Sequence, residues 1–262
     1  MMLAKRPCHL RESDHKYIWQ PTGEQMATSV TGVRDYFKDP DRFQKIAQKY
    51  EEGSYTRWWV DNCSEIGTHN HRALEALANQ SIEMDICKEK EAEGDELAWE
   101  ASPEAWLQFM DHHGTESPEG HECSPWIDHL VSMTSFWDQV EVLATEYTMV
   151  HRRKSLGGQA DLICVFKDKA MLVDLKSKSA NWKFASKDDE LSYRQQFGGY
   201  LYLLTDGDNA GGGQMIDLCQ TLIVTPNGVK WLPPYDPDDC YSEWEECWKK
   251  YSAALSTQAC PF

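Results

Sequence analysis

The chain of 262 residues has no apolar run approaching the roughly 18 residues that a membrane-spanning helix needs, so no stretch of it reads as a transmembrane segment. The opening residues Met1-Met2-Leu3-Ala4-Lys5-Arg6-Pro7 lack the apolar core of a signal peptide, which argues against export. Nine cysteines are present, but no Cys-x-x-Cys. Cys8, Cys63, Cys87, Cys123, Cys164, Cys219, Cys240, Cys247 and Cys260 are scattered without a pairing pattern, which reads as free thiols in a reducing compartment, the cytoplasm. Positive charge is scarce: 26 Lys and Arg stand against 43 Asp and Glu, a formal net charge of −17. That excludes a broadly basic nucleic-acid-binding surface, because an acidic chain repels DNA at long range unless cations gather locally.

What is present is a concentrated acid–lysine constellation. Two apolar runs, Gly157–Phe166 and Lys169–Lys176, flank Lys167-Asp168 and read as a β-hairpin. With a two-residue loop, residues whose numbers sum to 335 pair, which sets Asp161 opposite Asp174. Directly opposed Cβ atoms lie roughly 4.5–5.5 Å apart. Alternation along the strand puts Lys176 on the face of Asp174. Leu162, Cys164 and Phe166 face one way and Ile163 and Val165 the other, so the strand is apolar on both sides, as in a central strand covered by helices. Two carboxylates on such a strand need a partner. A hard divalent cation is the natural one, since it takes oxygen ligands and shares them with substrate phosphate. The register depends on the loop length, because one extra residue would turn Asp161 to the wrong face.

The order of the surrounding motifs resembles the PD-(D/E)xK nuclease superfamily and its RecB-like branch, being most similar to phage-type and mitochondrial genome maintenance-type exonucleases. Asp161 matches the first acid and Asp174-Leu175-Lys176 the D-x-K element. Upstream, Gly67 to His71 resembles a G-x-x-x-H helix, and Glu146 matches an acid on the first core strand. Downstream, Gln196 and Tyr200 match Q-x-x-x-Y. Five short motifs in order are far more specific than any one. The resemblance implies an α/β fold with a mixed central β-sheet flanked by helices, a restriction-endonuclease-like core, and an N-terminal helical region over the site. It implies a Mg²⁺- or Mn²⁺-dependent DNA exonuclease using one or two ions, acting on single-stranded DNA or duplex ends in viral, recombination or repair processing, in the host cytoplasm if the gene is viral. Asp161, Asp174 and the Leu175 carbonyl would hold metal, with His71 completing that site or a second one and Glu146 binding through water or positioning the ion. Lys176 would orient or activate the attacking water. Ser29, Thr31, Arg152, Lys178, Trp182, Arg194 and Gln196 are candidates to hold the DNA backbone, and Gln196 with Tyr200 to position the strand or brace the lysine. A homo-oligomer or a single-strand annealing or binding protein is an open partner; no membrane is expected. The late cysteines are too widely spaced for the iron–sulfur cluster of some relatives, so none is expected. An endonuclease or junction-cleaving enzyme on the same core, and an inactive or DNA-mimicking acidic protein, are the alternatives.

The rest of the chain is read more coarsely, as one nuclease domain over 1–262. A hairpin over 15–28 turns at Gly23. Helices are expected over 31–38, 40–52, 54–62 and 64–79, the last capped by Ser64. Together 15–80 form a wall carrying the histidine. His71 and Glu75 share a face, while His69 points away. Arg34, Lys38, Arg42, Lys45 and Lys49 recur at helical spacing, read equally as DNA contacts or as a solvated face balanced by Asp35, Asp39 and Asp41. Residues 80–123 read as an acidic, partly helical insertion, in which His112, His113, His121 and Cys123, with His129, fit no standard zinc spacing. A helix follows from Ser124-Pro125 to about Val140. The core sheet and the Gln-x-x-x-Tyr helix occupy 142–232, with a flexible loop at 206–213 and a strand over 214–225. A capping box at Ser186–Asp189 opens the Gln196 helix, and a C-terminal helix covers 240–257 with an apolar stripe of Trp244, Trp248, Tyr251 and Leu255.

Overall fold

The computed structural model describes residues 2–95, 103–208 and 216–258. Its centre is a six-stranded mixed sheet. Strand β5 (Glu141–His151) runs antiparallel to β6 (Leu156–Phe166), which runs antiparallel to β7 (Lys169–Ser177). Strand β8 (Leu218–Thr225) lies parallel to β7 and is closed by the antiparallel β9 (Gly228–Trp231). A parallel pair needs a crossover, and helix α7 (Lys187–Asp206) supplies it. The short strand β4 (Thr28–Ser29) joins β6 in parallel at Leu156 and Gly157. The fold class is therefore the α/β mixed sheet expected.

The hairpin register is the one that the two-residue loop dictates. Leu162 pairs with Val173 and Phe166 with Lys169. Lys167 and Asp168 have φ of 51° and 60°, the doubly left-handed conformation of a tight turn whose twist matches the strands. Both faces of β6 are buried as alternation requires: Ile163 packs in one core, Leu162 and Cys164 in another. The first core is covered by α1 (Val30–Asp35), α7 and α8 (Pro237–Gln258). The second is covered by α3 (Tyr55–Ala92), α4 (Ala105–His112), α5 (Ser124–Val131) and α6 (Thr134–Trp137). Helix α2 (Arg42–Ala47) leads into α3. A small antiparallel sheet of β1 (Cys8–Arg11), β2 (Lys16–Trp19) and β3 (Glu24–Gln25) precedes these elements, with Gly23 at φ +70° in its second turn.

Several element boundaries differ from the sequence reading. The helices expected over 54–62 and 64–79 are one 38-residue helix, α3, capped by Ser54, whose side chain accepts from Arg57 N. Ser64 lies inside it, its carbonyl accepting from the Thr68 hydroxyl at 3.0 Å. The helix also runs on into the expected insertion, because 83–92 is mostly Glu, Lys, Met and Ala, strong helix formers, with only Asp85, Ile86 and Cys87 besides. The helix expected over 124–140 breaks at Ser132-Met133 into α5 and α6. Helix α8 begins at Pro237, a residue suited to a first helical position, rather than at 240. Residues 209–213 of the expected loop, and 214–215 of the expected strand, lie outside the described residues, as does Cys260.

Candidate metal centre and active site

The site forms where β6 changes neighbours. Its pairing with β7 ends at Leu162↔Val173, and its pairing with β4 takes up at Gly157↔Ser29. Asp161 sits between the two. Its carboxylate Oδ2 accepts from the Leu175 N–H at 2.7 Å, standing in for a ladder partner and tying the end of β7 to β6. Leu175 thus meets the acid through its N–H. Across the gap Asp174 is 1% exposed. One of its oxygens accepts from Gln196 Nε2 at 2.7 Å and the other meets Lys176 Nζ at 2.6 Å.

Two further residues arrive from other elements. His71, on α3, places Nδ1 3.4 Å from Asp161 Oδ2 and 3.9 Å from Glu146 Oε1. Glu146, on β5, has φ of +43°, a conformation that costs a non-glycine residue on the order of 1–3 kcal/mol and that accompanies functional sites. Its backbone carbonyl accepts from Gln159 Nε2 at 3.1 Å. Among the described residues, His71, Glu146 and Asp161 are the group whose ligand atoms converge for a metal ion, all within 4.8 Å of one another.

The charges at this point are out of balance. Burial pushes the Glu146 carboxyl up to about 8, and the neighbouring Asp161 adds to the push. Burial likewise raises Asp174 in spite of Lys176. For Asp161 burial works the same way, but His71, Lys176 and the Leu175 N–H outweigh it and hold the carboxyl below its ordinary value. Burial opposes the charge on His71, yet Asp161 and Glu146 lift its imidazole to about 9. Three carboxylates thus share one lysine and a histidine proton. A donor set of hard oxygens with one imidazole, short of positive charge, suits a divalent cation such as Mg²⁺ or Mn²⁺.

Gln196 and Tyr200 share one face of α7, one turn apart, and both are buried. Gln196 Nε2 also reaches the Tyr200 hydroxyl at 2.8 Å, while its carbonyl accepts from Arg34 Nη1. The side chains therefore point at Asp174, not outward. Ser29 caps α1 by accepting from Gly32 N at 2.9 Å, and its hydroxyl lies 3.1 Å from that of Thr31. Lys178 lies over the Tyr193 ring at 5.8 Å, and Lys230 over Trp182 at 5.6 Å. Arg152 is held by Asp208 at 3.1 Å, and Arg194 Nη2 lies 3.6 Å from Glu243. His69 is buried against Phe109 and His113, away from the acids.

Two contributors escaped the sequence reading. Arg34 was one member of a charged stripe, but it turns inward to Gln196 and pairs with Asp35 at 2.7 Å. Lys38 and Lys45 pair with Asp35 and Asp39. Tyr17, on β2, packs so tightly over β6 that a Cβ at Gly157 would lie 2.3 Å from its ring. Burial, then Glu146 and Asp161, raise its phenol. The Gly157-Gly158 pair was the available signal, since adjacent glycines in a strand mark close approach of another group.

The family model for the PD-(D/E)XK nuclease superfamily matches residues 36–259. No curated protein matches the chain. Among solved structures, "Crystal structure of SSO0001" is similar over 67% of this chain and 74% of that one, at 12% identity and a TM-score of 0.24, too low to carry an argument.

Proposed function

Because the chain belongs to the PD-(D/E)XK nuclease superfamily, we propose that it is a Mg²⁺- or Mn²⁺-dependent exonuclease that hydrolyses phosphodiester bonds at single-stranded or duplex DNA ends, in recombination or repair processing of the phage type. The observation that carries the reading is the convergence of His71, Glu146 and Asp161 within 4.8 Å, beside the Asp174–Lys176 pair. His71, Glu146 and Asp161 would hold the ion, with Asp174 and the Leu175 carbonyl as further ligands. A bound divalent cation supplies charge stabilisation on a phosphoryl oxygen and lowers the pKa of water.

The chain's own groups do the rest. Lys176 is anchored by Asp174 at 2.6 Å, which fixes its ammonium beside the acids to orient the attacking water and to meet negative charge developing on the phosphate. Gln196 holds the other Asp174 oxygen and is itself held by Arg34, so the acid cannot rotate out of place. Lys178, just past the end of the same strand, would meet the backbone of the DNA, as would Ser29 and Thr31.

The test is a time course on end-labelled single- and double-stranded oligonucleotides and on circular single-stranded DNA, with Mg²⁺, Mn²⁺ or EDTA. The reading predicts metal-dependent loss of linear substrates only, abolished in Asp174→Ala. Cleavage of the circle would replace the exonuclease by an endonuclease. Degradation surviving in Asp174→Ala would place the site elsewhere.

A further inference from the structure

Helix α3 carries a glycine that its folding does not require. Gly67 lies inside a 38-residue helix, where glycine is among the least favourable residues because it gives up the most backbone freedom. The helical glycines of α7 have packing reasons: a Cβ at Gly198 would lie 2.0 Å from the Cys240 carbonyl oxygen, and one at Gly199 2.5 Å from Val30. A Cβ at Gly67 would meet nothing within 4 Å, and its backbone is not left-handed. Neither crowding nor conformation accounts for it.

Its position on the helix is informative. Asn70 and His71 follow by three and four residues, so they stand on the same side, within about 60° on the helical wheel. That side is packed one turn further on. Asn70 is fully buried and donates to Ser177 Oγ at 2.9 Å, His71 reaches Asp161, and Leu74 is 1% exposed in the core. At Gly67 the same side faces open space. The helix therefore lies against β7 at Ser177 and leaves a slot one turn earlier, beside the metal ligands. Nearer the start of α3, Tyr55 Oη accepts from Ala180 N at 3.0 Å, so the chain leaving β7, which carries Lys178, runs along α3 and borders the slot.

We propose that this slot is where the sugar–phosphate backbone of the strand being cut passes against α3, and that Gly67 is a positioning residue whose missing side chain permits the approach. The inference rests on the nuclease reading above and adds the path of the substrate to it. Gly67 does no chemistry; it clears the way for a chain that Lys176 and Lys178 meet from the other side.

The test uses Gly67→Ala and Gly67→Leu in the full chain, with Thr68→Leu, on the exposed side of the same helix, as the control for added bulk. Unfolding temperature, Mn²⁺ affinity by titration calorimetry, and kcat and KM on an oligonucleotide are measured for each. The expected results are an unfolding temperature raised by about 2 °C in Gly67→Ala and Mn²⁺ affinity within twofold of wild type in both variants. KM rises modestly in Gly67→Ala and at least tenfold in Gly67→Leu, and Thr68→Leu is unchanged. Wild-type KM in Gly67→Leu would overturn the proposal while leaving the nuclease reading intact. Loss of Mn²⁺ affinity together with activity would also overturn it, because the effect would then come through His71. A wild-type protein that cleaves no DNA with any divalent ion would instead sink the nuclease reading.

Discussion

At the scale of single residues, the site is a problem of charge compensation solved by neighbours. Gln196 is the clearest case. Its amide fills one side of a buried carboxylate, and deleting it leaves Asp174 Oδ1 without that bond. An unsatisfied buried acceptor costs about 1–3 kcal/mol, so Gln196→Ala is expected to lower stability by that order in denaturant titrations and to cut kcat at least tenfold. The titrations of His71 and Glu146 give a second expectation. The His71 imidazole, raised from 6.5 to about 9, contributes stability that is complete below 6.5 and is lost as pH rises through 9. Glu146, raised from 4.5 to about 8, ionises at a cost that is absent below 4.5 and grows until 8. Both signs make the metal-free protein less stable toward alkaline pH. Metal binding requires the neutral imidazole and the carboxylate, and so gains affinity over the same interval. The rise in unfolding temperature produced by Mn²⁺ should therefore be larger at pH 8.5 than at pH 6.5; scanning fluorimetry at both values checks it, and an equal or smaller rise at pH 8.5 would contradict it. The pairing partners of Arg34 were not legible, since a charged stripe looks the same in sequence whether it faces water or a buried glutamine.

At the scale of elements, the hairpin was legible and the long helix was not. The hairpin follows from apolar runs on either side of a two-residue break, and the length of that turn fixes the register. Lys167 and Asp168 satisfy it by both adopting positive φ. Inserting one glycine between them should move Asp161 relative to β7 and break the Leu175 contact. Cleavage should fall below detection while circular dichroism shows the sheet retained. Full activity in the insertion variant would mean that a bulge restores the register. Helix α3 hid itself because Ser64 looks locally like the cap that opens a new helix. The burial of Ile66, Ala73, Leu74 and Leu77 in the core beneath the sheet overrides that local preference, as tertiary packing commonly does.

At the scale of the whole molecule, a chain of net charge −17 is assigned to a polyanionic substrate. The acids of the candidate metal centre account for part of that charge and are the part that a divalent cation would neutralise. Elsewhere many of the cations are tied up, with Arg34, Lys38, Lys45, Arg57 and Arg152 each paired to an aspartate. The proposed attraction for DNA therefore falls to Lys176, beside Asp174, and to Lys178, and not to the surface at large. The motifs that carry His71, Glu146 and Asp161 could be named from their order along the chain, and the fold brings these three side chains together. Tyr17 could not be foreseen, since it comes from a separate small sheet that only the fold brings over Gly157. The central claim is that His71, Glu146 and Asp161 bind a divalent cation. Anomalous diffraction from crystals soaked in Mn²⁺ tests it most directly. The account predicts a peak within coordinating distance of all three side chains, absent in His71→Ala; strong anomalous density elsewhere, with none among these three, would contradict it.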